Sequence, residues 1–417
     1  MVILRYYTMI EKLKRLRCEY KILVRKYFES FRLLKTIQLC MGIGILVLTF
    51  APCGFFGAVG GIRDPKTGFI IDVLSSQRTE MGIILTRGVE RAIVANNALQ
   101  LLSIVITRFT AFFMYPALIL VYLTKLRGTI NLLIYALGPF ACPLLYDLHE
   151  LHIYCAWVVL INGVIHAAFH LIRWANQSNL SLLFHHFSGI SGLIMLVSLL
   201  LVSLPMAWCR GRICYEIRKK LHYAFLFFNL AFLFHTPTST IPNGGFSLWI
   251  SSVLSIWYFL DAIYVRRVLT ERAEVSRFQI IKNSGFQMTV RVSKRFTQTK
   301  SHGGYCYVCF PWMKGKEWHV FSLFENKSLL ETERNIFILK VGDWTEKAYN
   351  MFDLLRDHGN LDSGGYALLQ GPFYGPYDHA LRYENLLLVA SGIGITPALS
   401  VVSRRVKEEL STTNMVW

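Results

Sequence analysis

The stretch from Asp147 to Trp174, DLHELHIYCAWVVLINGVIHAAFHLIRW, constrains this chain more than any other. From Ile153 to Ile172 it is almost wholly apolar, close to the ~20 residues that a bilayer-spanning helix needs. Three histidines, His152, His166 and His170, nonetheless lie in or beside it. Histidine inside lipid is costly and marks a functional pathway by default. His152 and His166 are 14 residues apart, which is roughly 21 Å of helix and leaves them about 40° apart around the axis. One imidazole therefore sits toward each side of the membrane.

A second apolar helix, RKKLHYAFLFFNLAFLFHTP, repeats the device with His222 and His235, 13 residues apart. Thirteen ideal steps leave these two roughly 140° apart, so a bulge or kink must bring them round if both are to face the first helix. Two readings follow. The helices clamp two stacked haems, each iron taking one ligand from each helix, or the histidines hydrogen-bond between packed helices. Two pairs at nearly equal depth favour the haem sites, with His152, His166, His222 and His235 as iron ligands.

The chain has 417 residues, is 53% hydrophobic and has a mean hydropathy of +0.40, with its apolar runs between Leu34 and Val265. This composition fits an integral membrane part followed by a soluble C-terminal part. The net charge of +18 does not point to nucleic acid, because Lys and Arg gather beside the apolar runs, where topology needs them. The nine cysteines show no zinc spacing. Cys306 and Cys309 form a C-x-x-C, but on an alternating strand they point to opposite faces, which argues against a redox role.

Residues 1–35 carry ten Lys/Arg against three Glu and no cleavable signal pattern; they read as a basic segment on the cytoplasmic face. Residues 36–267 hold six spans: Thr36–Gly60, Arg108–Thr124, the two histidine helices, Ser188–Trp208 and Phe246–Tyr264. Residues 61–107 form an outer loop with an interfacial second half, and 128–147 an interfacial loop. Every assigned cytoplasmic end is basic, which places both termini inside, His152 and His222 toward the cytoplasm, and His166 and His235 toward the exterior. Sequons at Asn176 and Asn179 suit an outer face. A multi-pass protein in contact with membrane lipid, in the plasma membrane, is the expectation.

From about Arg272 the runs FQMTVRVSKRF, GGYCYVCFP and NIFILKVGDW alternate as strands of a small β domain. Then ENLLLVA, SGIGITP and SVVSRRVKEEL read as a buried strand, a glycine turn and a helix, a place where backbone N–H groups can approach a pyrophosphate.

These residues resemble the NADPH oxidase family and its ferric reductase relatives over nearly all of residues 100–410. The histidine pairs look like that family's two bis-histidyl haem b sites. WHVFSL at Trp318–Leu323 resembles the flavin motif H-P-F-[ST], with Val320 in place of the proline. VGDWTE at Val341–Glu346 resembles the second flavin segment. GPFYGP at Gly371–Pro376 and GIGITP at Gly392–Pro397 resemble the segments that approach nicotinamide and pyrophosphate. The resemblance implies FAD contacts at His319, Phe321, Ser322, Leu323, Gly342, Trp344 and Thr345. It implies FAD or NADPH contacts at Gly371, Pro372, Phe373, Gly392, Gly394, Thr396 and Pro397. Arg108 and His170 resemble the polar pair beside the outer haem, where protonated His170 and Arg108 would stabilise a forming superoxide anion.

The fold class this implies is a six-span α-helical membrane bundle (36–267), a β-barrel FAD domain (268–376) and the start of an α/β NADPH domain (377–417). The activity it implies is NADPH oxidation through FAD and two haems, with oxygen reduced to superoxide outside. Two alternatives are a ferric-chelate reductase with the same carriers, favoured by a short last outer loop, and an incomplete haem membrane subunit that needs a regulatory or completing partner. Because the sequence stops 20 residues after Pro397, the LLLVA strand is expected to lack neighbouring strands, and the chain by itself to oxidise NADPH poorly.

Overall fold

The computed structural model describes residues 36–37, 40–55, 97–138, 145, 148–185, 187–208, 212–235, 246–293, 304–313, 316–324, 332–357, 365–383, 385–390, 392–407 and 413–416. The basic segment 1–35, the loop 61–96 and the last outer loop at 236–245 lie outside these residues. In chain order the helices are α1 (Cys40–Phe55), α2 (Ala98–Leu123), α3 (Arg127–Leu137), α4 (His149–Asn176), α5 (Leu182–His185), α6 (Phe187–Trp208), α7 (Tyr215–His222), α8 (Phe225–Phe234), α9 (Phe246–Arg267), α10 (Asp343–Asp357) and α11 (Ile395–Lys407). The strands are β1 (Thr270–Ile281), β2 (Gly285–Arg291), β3 (Tyr305–Cys309), β4 (His319–Phe324), β5 (Glu333–Leu339), β6 (Tyr366–Phe373), β7 (Leu386–Val389) and β8 (Thr413–Val416). The chain divides into two compact units, one of Met1–Val121 with Leu151–Ser252 and one of Tyr122–Glu150 with Val253–Trp417.

Four helices, α2, α4, α6 and α9, are long and apolar enough to cross a membrane, so this is a multi-pass membrane protein; α1 is shorter. Helix α2 begins at Ala98, well before the expected Arg108. The cause is a local cap: the Asn97 side-chain oxygen accepts the Gln100 backbone N–H at 2.9 Å, the N-terminal satisfaction an apolar pattern alone does not reveal. Arg108 therefore lies inside the helix. The Asn97 and Gln100 amides also donate to the Asn176 side-chain oxygen at 2.7 and 2.8 Å, which ties the start of α2 to the end of α4.

The second histidine helix is broken into α7 and α8 at Tyr223 and Ala224. There the Tyr223 and Ala224 N–H groups bond to carbonyls three residues back, at 3.1 and 3.0 Å, a local tightening that rotates α8 against α7. His235 closes α8 as its C-cap. The 13-residue spacing needed such an irregularity, and the chain has one.

In the second unit, residues expected to form an interfacial loop make helix α3 instead. Its N-cap residue Leu126 gives no side-chain hydrogen bond, but Asp261 of α9 supplies the cap from another helix. The Asp261 carboxylate accepts from Thr129 N at 2.6 Å, Thr129 Oγ at 2.7 Å and Gly128 N at 3.3 Å, a favourable charge at a helix N-terminus. Gly128 permits this approach, since a Cβ there would lie 2.7 Å from the Tyr264 ring.

Strands β1 to β6 close an antiparallel barrel in the order β1-β2-β5-β4-β3-β6. Alternate residues fill its interior: Phe286, Met288 and Val290 from β2 face Ile336 and Ile338 from β5, with Cys306 and Val308 from β3. Helix α10 adds Trp344, Ala348 and Phe352, one stripe at helical spacing, to the same core. Cys306 and Cys309 are both free thiols, and only Cys306 belongs to that core cluster.

Strand β7 does not stand alone, which corrects the expectation of an unpaired strand. Leu386–Val389 pairs in parallel with Thr413–Val416, and α11 forms the crossover. A parallel pair needs a connection of a dozen or so residues, and Thr413–Val416 supply the second strand. Leu388 and Ala390 pack on Ala398 and Val401 of α11.

Candidate functional site

In the first unit the four predicted ligand histidines meet in two pairs. The ring centres of His152 and His222 are 6.4 Å apart, and those of His166 and His235 are 6.2 Å apart. Two imidazoles on opposite sides of one metal, each bonded at about 2.0 Å, have ring centres about 6 Å apart. The second ring nitrogens are also in place. His152 Nδ1 is 3.2 Å from Val121 O, His222 Nδ1 is 3.2 Å from Val202 O, and His166 Nδ1 is 2.9 Å from Thr107 O. His235 Nδ1 is 2.9 Å from Ser191 Oγ. A carbonyl only accepts, so the three rings facing one carry the proton on Nδ1 and keep the Nε2 lone pair for a metal, with the second-shell bond that fixes a ligating ring.

Gly192 makes room for His235, whose Cε1 lies 3.1 Å from where a Cβ would stand. No group of three or more His, Cys, Asp or Glu side chains suited to a metal occurs among the described residues. A site with two histidine rings lacks the third and fourth side chains a bare zinc ion takes. It suits a metal held in the plane by a macrocycle, and so the residues fit haem.

His170 packs against His166 with ring centres 4.6 Å apart. The expected protonated His170 is not what the geometry shows. Its Nδ1 lies 3.2 Å from an Nη of Arg173, and a guanidinium only donates, so His170 accepts and is the neutral Nε2–H form. Arg173 brings positive charge to this end, and Arg108 follows Thr107, whose carbonyl oxygen lies 2.9 Å from His166 Nδ1. Arg173 escaped the sequence reading, although its position three residues after His170 places it on the same helix face.

In the second unit, β4 carries His319, Phe321 and Ser322, all half-buried, with Val320 exposed and Leu323 buried. The His319 ring stacks on Trp344 at 4.1 Å and its Nε2 is 3.3 Å from a Glu317 carboxylate oxygen. Trp344 itself is buried in the barrel core, also stacked on Phe310 at 5.3 Å, and so supports His319 from beneath. The Thr345 hydroxyl accepts from Val341 N and Gly342 N at 3.1 and 2.9 Å and donates to Gly342 O at 2.8 Å, which caps α10.

Phe373 is buried against Val265, Leu269 and Tyr305. Gly371 has φ +139°, a conformation that glycine alone adopts readily. Asn131 of α3, also unforeseen, grips the segment at two points: its Nδ2 donates to Pro372 O and its Oδ1 accepts from Tyr374 N, each at 3.3 Å. Gly392 and Gly394 have open space where a Cβ would stand, and they precede the N-terminus of α11. Thr396 and Pro397 are buried, and the Thr396 hydroxyl donates to Ile393 O at 2.9 Å. The exposed backbone here fits a phosphate-bearing ligand.

Known proteins are similar to this chain in sequence. Ferric reduction oxidase 8, mitochondrial, of Arabidopsis thaliana is 29% identical over 229 residues, which cover 54% of this chain and 29% of that protein. A superoxide-generating NADPH oxidase heavy chain of Dictyostelium discoideum is 24% identical over 256 residues, covering 56% and 34%. This chain is a homologue of NADPH oxidases and ferric reduction oxidases. NADPH oxidase 4 of Rattus norvegicus, another such homologue, is 23% identical over 347 residues, covering 61% of this chain and 59% of that one. This oxidase homologue spans about a third of the length of the first two relatives, 29% and 34%. No family model matches. Among solved structures, a flavohemoglobin from Malassezia yamatoensis with bound FAD and heme overlays 72% of this chain and 75% of that one at 14% identity and a TM-score of 0.32, too distant to bear on the site.

Proposed function

We propose that this protein is an oxidoreductase that moves electrons from NADPH on the cytoplasmic side to an acceptor outside, with FAD and two b-type haems as carriers. The observation that carries the reading is the pairing of His152 with His222 and of His166 with His235 at one common separation, 6.4 and 6.2 Å. In this reading α1 and the α7–α8 pair complete six spans around these sites, both termini are cytoplasmic, and the membrane is the plasma membrane.

When bound, flavin accepts an electron pair from NADPH and releases single electrons, and haem carries one at a time. The chain's own residues set the conditions. His152 with His222 and His166 with His235 would each hold one haem iron, and a pair of histidine ligands per iron would leave the acceptor to react at the haem edge. Carbonyls of Val121, Thr107 and Val202 hold three of the rings, and Ser191 holds His235. Arg108, Arg173 and neutral His170 supply positive charge and N–H donors at the outer pair, where a superoxide anion formed from oxygen would be stabilised. His319, Phe321 and Ser322 on one strand would hold the flavin, Thr345 shapes the adjoining helix end, and the backbone at Gly392 and Gly394 would take the nicotinamide cofactor's phosphates.

Ferric-chelate reduction by the same carriers is the second reading, and the ferric reduction oxidases among the relatives favour it. The test is a dithionite-reduced minus oxidised spectrum of the purified protein, followed by NADPH-driven superoxide and ferrous-chelate assays in vesicles. Low-spin bis-histidine bands are expected, and their absence overturns the proposal.

A further inference from the structure

The outer histidine pair is held by one device that occurs on two different helices. On α2, the Thr107 carbonyl oxygen lies 2.9 Å from His166 Nδ1, and the Thr110 hydroxyl, three residues on, lies 3.2 Å from the same nitrogen. That hydroxyl donates within α2, 2.8 Å from the Ile106 oxygen and 3.1 Å from the Thr107 oxygen. On α6, the Ser191 hydroxyl lies 2.9 Å from His235 Nδ1 and donates at 3.3 Å to the oxygen of Ser188, three residues back, whose backbone also bonds the ring. Serine and threonine in a helix ordinarily bond a carbonyl three or four residues back. Here the same oxygen also reaches a ring on another helix, on α4 in one case and at the end of α8 in the other. Thr110 and Ser191 are both buried.

Each hydroxyl gives its proton to its own helix, so toward the ring it can only accept, and the ring donates Nδ1–H. A hydroxyl is a weaker acceptor than a peptide carbonyl. Its proton also occupies a lone pair of the carbonyl that would otherwise serve the ring alone. The stronger the acceptor at Nδ1, the more basic the nitrogen left for a metal, and a more basic ligand favours ferric over ferrous iron. We infer that Thr110 and Ser191 are positioning residues that tune the outer site: their hydroxyls weaken electron donation by His166 and His235, raise the reduction potential of the haem held there, and so favour delivery of electrons to it. The inference rests on the reading of this pair as a haem site.

The test is a spectroelectrochemical titration of the detergent-purified holoprotein, in which the outer wave is the one that His166→Leu removes. Thr110→Val keeps the side-chain shape and the Thr107 carbonyl but deletes the hydroxyl, and Ser191→Ala deletes the hydroxyl on α6. Each should shift the outer equilibrium toward ferric iron by roughly threefold to tenfold, up to ~59 mV for one electron. The double variant should shift it further, the inner wave should stay in place, and Thr110→Ser should return the wild-type potential. An outer wave that stays in place or moves upward in Thr110→Val and Ser191→Ala overturns the inference, as does an equal shift of both waves. If Ser191→Ala sheds its haem, Thr110→Val decides alone, because His166 still has its carbonyl. Bis-histidine bands with an unmoved outer wave refute the tuning and leave the electron-transfer reading intact; absence of haem bands in the wild type refutes both.

Discussion

The imidazole of His166 on α4 is held by the backbone of α2, with Nδ1 2.9 Å from the carbonyl oxygen of Thr107. The neighbouring Thr110 hydroxyl lies 3.2 Å from the same nitrogen. Arg108 follows Thr107 directly, so the turn of α2 that orients the His166 ring also carries a cationic residue.

Because the pairs are separate, ligand substitutions should fall into two spectral classes. His166→Leu and His235→Leu should each remove the same fraction of the bis-histidine absorbance, and His152→Leu and His222→Leu the complementary fraction. Ser191→Ala, which removes one partner of the His235 ring, should keep the band but weaken haem retention by up to about 10-fold. Identical spectra for His152→Leu and His166→Leu would contradict two distinct sites.

Asn131 of α3 grips the Pro372–Tyr374 backbone through two hydrogen bonds. Asn131→Ala should cost about 1–3 kcal/mol of local stability. Hydrogen exchange at the Tyr374 amide, read by mass spectrometry, should accelerate by roughly 10-fold or more, while exchange in β2 and β5 stays unchanged. Uniform acceleration across the barrel would show that the bond is not local.

Thr345 and Ser322 should separate by mechanism. Thr345→Ala removes a helix cap and should destabilise the second unit by about 1 kcal/mol whether or not flavin is present. Ser322→Ala should leave the flavin-free melting temperature unchanged and lower flavin retention. The comparison needs thermal melts of both variants with and without FAD.

Burial raises the Cys306 thiol well above the ordinary cysteine range, and raises Cys309 as well, against the opposing pull of Lys316. A raised pKa means less thiolate at pH 8 and therefore slow alkylation. Iodoacetamide mapping at that pH should label exposed Cys214 first and leave Cys306 unlabelled until the barrel unfolds. Early labelling of Cys306 would revive a redox role for the C-x-x-C.

Local pattern was enough to place the histidine helices, the barrel strands and the strand–turn–helix of 386–407. Each is set by residues within one or two turns of one another: apolar runs, alternation and glycine punctuation. The 14 and 13 spacings even demanded a break in the second histidine helix before its position at Tyr223–Ala224 was visible. What the sequence could not determine depended on contacts between residues distant in the chain. Asp261 caps α3 from α9, so a stretch with no cap of its own became helix. Thr413–Val416 became a strand because β7 offered it an edge. The neutrality of His170 follows from the donor that Arg173 turns toward it, and the ligand-ready tautomers of His152, His166 and His222 follow from carbonyls on other helices. Hydrogen-bond direction is a property of the folded arrangement, and only tertiary structure decides it.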